Sequence, residues 1–89
     1  VDTSSLWLNA GHVAAHKHSV TEAEAKSFIE NAVFSLKRKH WTGVTFTNYY
    51  STAGAAYVLD GSDEIRTAFK RDQFKGRVLD AIKEIENDE

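Results

Sequence analysis

No cysteine occurs anywhere in this chain of 89 residues. Disulfides and Cys-type zinc sites, the usual staples of a small scaffold, are therefore closed to it. A hydrophobic core must hold the fold. A chain this short makes one domain, residues 1–89, and buries only about 60–65% of the surface its unfolded form exposes. It has little stability to spare and no room for a separate cofactor domain. Proline is absent too, so refolding does not wait on proline isomerisation. No apolar run approaches the ~20 residues that a membrane span needs, and no membrane is expected for the folded chain. No signal peptide is visible at Val1. The abrupt start there is the one expected of a domain cut from a longer protein.

Periodicity gives the layout. Thr21-Glu22-Ala23-Glu24 has the form of a capping box. Behind it, Ala25, Phe28, Ile29, Ala32, Val33 and Leu36 recur at helical spacing. The pattern predicts one amphipathic helix from Thr21 to His40. Lys37, Arg38, Lys39 and His40 then fall in its last turn, where cations suit the helix dipole. Three short strands are expected at 44–50, 55–60 and 64–69, rich in β-branched and aromatic residues and separated by Gly- and Ser-containing turns. A last helix is expected over 72–86, with Asp72 as N-cap and with Phe74, Val78, Ala81, Ile82 and Ile85 as its stripe. Gly76 would cost that helix about 1 kcal/mol relative to Ala. The fold class is α+β: amphipathic helices on one face of a small antiparallel sheet, the other face free to carry a site.

The formal charge is −2, which argues against a general nucleic-acid binder unless charge is segregated. It is segregated. Residues 12–40 hold nine Lys, Arg and His against Glu22, Glu24 and Glu30, and the tail from Asp80 onward is acidic.

The strongest chemical signal is His12, His16 and His18 between Gly11 and the helix start. Histidine titrates near neutrality, so two of them can act as base and acid at one phosphodiester. The product would be a 2′,3′-cyclic phosphate, with no metal and no cofactor. The alternative is a loop of solvated polar residues. A metal site is less well supported, because Val13 stands where a zincin needs Glu and no acid lies in the segment. Lys17, Arg38 and Lys39 are candidates for holding the RNA backbone. On the first strand, Thr45, Thr47 and Tyr49 alternate onto one face, where Thr47 and Tyr49 are candidates for contacting the substrate, against Val44, Phe46 and Tyr50 on the other. Arg66 can bind a phosphate in bidentate fashion and stabilise the pentacoordinate dianion. Thr67 can donate a hydrogen bond there. Alternation sends these neighbours to opposite faces unless a bulge intervenes. It groups Ile65, Thr67 and Phe69 on the core face, which favours Arg66. Tyr49 and Tyr57 could stack on bases or simply pack the sheet.

Gly11-His12-Val13-Ala14-Ala15-His16-Lys17-His18 before a helix, then Gly54-Ala55-Ala56-Tyr57-Val58, then Ile65-Arg66-Thr67-Ala68-Phe69 resemble the barnase–EndoU–colicin–RelE superfamily of RNases. The layout is most similar to toxin domains of contact-dependent growth inhibition systems. The resemblance implies a metal-independent endoribonuclease, often cutting transfer RNA, delivered from the producer's surface or by secretion. It would act in the target-cell cytoplasm, and a cognate immunity protein would neutralise it by covering the site. It implies acid–base roles for His12, His16 or His18 and a site hydroxyl on Thr67. A non-catalytic immunity or adaptor module and a metal-dependent nuclease are the competing readings.

Overall fold

The computed structural model describes residues 2–15 and 19–87. Among them, five strands form one sheet: β1 (Trp7–Leu8), β2 (Phe34–Lys39), β3 (Thr45–Tyr50), β4 (Gly54–Leu59) and β5 (Glu64–Lys70), in the order β1-β5-β4-β3-β2. β1 runs parallel to β5, and the other pairs are antiparallel. The helices are α1 (Ala10–Ala15), α2 (Glu22–Glu30) and α3 (Gly76–Asn87), with a short 3-10 turn at Arg71–Gln73. The class is α+β. No helix among the described residues is long and apolar enough to cross a membrane.

The capping box at Thr21 forms as the sequence indicates. Thr21 Oγ1 accepts the Glu24 amide at 3.2 Å, and the Glu24 carboxylate accepts the Thr21 amide at 3.1 Å. The helix then stops at Glu30, about ten residues before the expected end. Asn31 closes it by donating its side-chain amide to the Ser27 carbonyl at 2.9 Å. The segment beyond satisfies two periods at once. Ala32, Val33 and Leu36 extend a helical stripe, but Phe34, Leu36 and Arg38 also alternate at the strand period of two. Pairing with β3 decides between them. It runs from Phe34↔Tyr50 to Lys39↔Thr45 and stacks the Phe34 and Tyr50 rings at 5.0 Å. Val33 and Leu36 accordingly stand exposed rather than in a core stripe. Lys37, Arg38 and Lys39 lie on a strand, with His40 just past it, and not in the last turn of a helix.

The C-terminal helix is also shifted. Asp72 lies in the 3-10 turn, Phe74 is extended, and α3 starts at Gly76. Gly76 has φ +56°, a conformation that glycine adopts without strain. It therefore sits where glycine is favoured, not in a helix interior.

The helices divide between the two faces of the sheet. Adjacent Ala55 and Ala56 on β4 mark the division, since neighbouring side chains point to opposite sides. On one side, Ala25, Phe28 and Ile29 of α2 pack with Val20, Ala56, Ile65 and Ala68. On the other, Phe74 and Ile82 pack with Tyr50 and Ala55. α3 and Phe74 cover only one end of that second face. The rest forms a concavity.

A bulge between β4 and β5 shapes it. Tyr57 pairs with Thr67, yet Val58 pairs with Ile65, leaving Arg66 without a partner in the ladder. The extra residue breaks the alternation. Ile65 enters the α2-side core while Thr67 and Phe69 share the other side with Tyr57. The grouping of Ile65, Thr67 and Phe69 on one face therefore does not occur.

Candidate active site

The uncovered part of the second face is a concavity of about 520 Å³. Its floor is aromatic. Phe46 and Tyr50 come from β3 and Tyr57 from β4, where it faces Asn48 between them. The Tyr50 and Tyr57 hydroxyls lie 3.2 Å apart. Burial, and then the hydrogen bond to Tyr50, raise the Tyr57 hydroxyl well above the usual phenol range, so it stays protonated. As a protonated hydroxyl it can donate a hydrogen bond.

The walls are basic. Arg38 and Lys39 at the end of β2 line one side, and Arg66 of the bulge lines the other. No acidic side chain lines the concavity among the described residues. The chain is net negative, so this positive lining is a local segregation that favours an anion.

Arg66 is held in place on two sides. Its guanidinium lies over the Phe46 ring, 5.9 Å from the centroid, and its Nε donates to the Glu64 carboxylate. Glu64 also accepts from Asn9 Nδ2 at 3.2 Å. These bonds, Arg66 first, hold the Glu64 carboxyl below the usual carboxylate range. Asn9 in turn opens α1: its Oδ1 accepts the His12 amide at 3.1 Å. One carboxylate thus ties the bulged arginine to the start of the helix that carries His12.

His12 reaches the concavity from α1, which packs on β5. His40 reaches it from the far end of β2. Three strand spacings, roughly 14 Å at backbone level, separate the two sides, and both side chains line the space between. His40 follows β2 into a tight turn closed by Gly43, whose φ is +92°. Its Nδ1 lies 2.9 Å from Thr42 Oγ1 and accepts the Thr42 backbone N–H at 3.3 Å. An Nδ1 that accepts leaves the ring proton on Nε2.

The residues proposed from sequence separate cleanly in space. His12, Arg38, Lys39, Tyr57, Arg66 and Thr67 come together around the concavity. Thr67 and Arg66 both reach it because of the bulge, where simple alternation admits only one. Thr47 and Tyr49 do not reach it. Thr47 donates to Asp60 at 2.7 Å in a cluster with Lys37, and Tyr49 packs against the α2-side core. His16, Lys17 and His18 lie outside the described residues. Sequence reasoning passed over His40 and Asn48. The sequence pattern gives His40 only a place at a helix end and gives Asn48 no role, whereas the β2–β3 pairing sets both at the concavity. No group of three or more His, Asp or Glu side chains that could hold a metal occurs among the described residues.

No protein-family model, curated protein or solved structure matches this chain.

Proposed function

We propose that this chain is a metal-independent endoribonuclease, a toxin domain that cleaves RNA by transphosphorylation and is neutralised by a cognate immunity protein. The observation that carries the reading is the convergence of His12 and His40 with Arg38, Lys39 and Arg66 over an aromatic floor. Acid–base groups, phosphate-binding cations and base-stacking surfaces are the three things that such a reaction needs.

His12 takes the proton from a ribose 2′-hydroxyl. The 2′-oxygen attacks phosphorus and the bond to the 5′-oxygen breaks. His40 gives that oxygen a proton from Nε2 as the imidazolium, the form in which Nδ1 is also protonated and donates to Thr42 Oγ1 instead of accepting the Thr42 amide. The products are a 2′,3′-cyclic phosphate and a free 5′-hydroxyl. Arg66 and Arg38 neutralise the non-bridging oxygens as charge builds on them, and Thr67 adds a hydrogen bond. Transfer RNA is the proposed substrate and the target-cell cytoplasm the proposed place of action. An immunity protein would present acidic groups to the basic walls, because complementary potentials steer association.

The test is direct. The folded chain is incubated with total RNA and with matched single-stranded DNA, each with and without EDTA. RNA should be cut in both conditions to cyclic-phosphate ends, and DNA should survive because it lacks the nucleophile. Activity lost on chelation and restored by a divalent ion would falsify the metal-free step.

The bulge makes a second test. Arg66→Ala should lower cleavage by roughly 10²-fold, as loss of one preorganised donor typically does. Thr67→Val should lower it as well, because the bulge turns both residues to the same side. A silent Thr67→Val variant would remove the hydroxyl from the mechanism and leave Arg66 alone.

A further inference from the structure

Asn48 is out of place for its surroundings. It occupies the middle of a central strand, where asparagine is depleted, and is only 4% exposed. Its partners across the ladder are Leu36 and Tyr57, and its neighbours on the same face are Phe46 and Tyr50. Its Oδ1 is buried and accepts no hydrogen bond. Buried polar atoms are nearly always partnered, and an orphaned acceptor is destabilising. An apolar residue of the same size would serve the sheet better. The side chain nevertheless lines the concavity. Rotation about χ2, which is broad for asparagine, turns the acceptor into that space without giving up a hydrogen bond.

We propose that Asn48 reads the base of the bound nucleotide, and that the base is adenine. The inference rests on the nuclease reading above for its ligand class. An asparagine amide offers an acceptor beside a donor. Adenine answers with N6–H beside N7, the bidentate match that asparagine makes with this base. Tyr57 supplies a face for the ring to stack on, and Arg38 and Arg66 stand at the walls to take the phosphate. The cost of an unpaired acceptor in the free protein is repaid when the base is bound. A site built to hydrogen-bond its ligand rejects one that leaves it unpaired.

The probes are the 3′-monophosphates of adenosine, guanosine, cytidine and uridine, titrated calorimetrically into the wild type, Asn48→Leu and Asn48→Asp. The wild type should bind the adenosine nucleotide at least about 10-fold more tightly than the others, a gap of about 1.4 kcal/mol. Asn48→Leu, which removes both polar groups, should flatten the preference. Asn48→Asp, which keeps an acceptor and loses the donor, should lose it too. Asn48→Leu should also melt higher, by about 4–8 °C, since it removes the orphaned acceptor. A lower melting temperature would mark Asn48 as a structural residue and overturn the inference. So would wild-type preference for another base, or RNA cleavage whose base preference is unchanged in Asn48→Leu; in the latter case the nuclease reading stands. Asn48-dependent adenine binding by a chain that cuts no RNA would support the inference and overturn the nuclease reading instead.

Discussion

His12→Ala and His40→Ala should each lower RNA cleavage by roughly 10²-fold or more, with the fold intact. Neither side chain belongs to either apolar core, so thermal melting should barely move. The double variant should be little worse than the poorer single one, because groups that act as a unit are grossly non-additive. The pH dependence of kcat/KM separates the two roles. The wild type should give a bell, with one limb for the base that must be unprotonated and one for the acid that must be protonated. His12→Ala should lose the acidic limb and His40→Ala the alkaline limb. The opposite assignment would reverse their roles. Full activity in His40→Ala, with loss in His16→Ala or His18→Ala, would move the acid from the end of β2 to the segment before α2.

His40 shows where the sequence stopped being legible. The basic run 37–40 is visible in the sequence, but its meaning depends on whether residues 31–40 are helix or strand. Local periodicity fits both. What decides is pairing with Thr45–Tyr50 across a tight turn, a tertiary effect that no window of sequence contains. The three later strands were readable because β-branched and aromatic runs were bounded by turn residues. The capping box at Thr21 was readable because its partners are three residues apart. The bulge at Arg66 was not. Its register shift arises from Ile65 entering the core beside Val58 while Thr67 stays opposite Tyr57. Alternation admits only one of Arg66 and Thr67 to the concavity, and the bulge brings both to it. The sequence groups Thr45, Thr47 and Tyr49 on one face with substrate candidates among them, yet Tyr49 packs against the α2-side core. A tyrosine is amphipathic enough to suit either place, so only the packing reveals which.

The core makes the other large prediction, through a contact that only the fold reveals. Gly54 opens β4 directly beneath the Phe28 ring. A Cβ there would lie 2.5 Å from Phe28 Cε2 and Cζ and 2.7 Å from the Phe69 carbonyl oxygen. The ring belongs to α2 and the carbonyl to β5, so this glycine sets how closely helix and sheet approach. Phe28→Ala should cost about 3–5 kcal/mol, as truncation of a buried phenylalanine does. For a domain whose total is roughly 0.05–0.15 kcal/mol per residue, that is a large share of the whole. Gly54→Ala should cost about 1–3 kcal/mol or more by overpacking. The double variant distinguishes the two clashes. Removing the ring relieves the first, so the pair should be less destabilised than the sum of the singles, with a coupling of about 0.5–3 kcal/mol. The Phe69 carbonyl is backbone and cannot withdraw, so rescue should be partial. Urea midpoints at constant m-value measure all three. Strict additivity would mean that the ring and the glycine do not meet as described. Phe28 packs on the side of the sheet away from the concavity, so the fraction of Phe28→Ala that remains folded should still cut RNA at the wild-type rate. A loss of activity out of proportion to the folded fraction would show that the α2-side core sets the geometry of the site through the sheet.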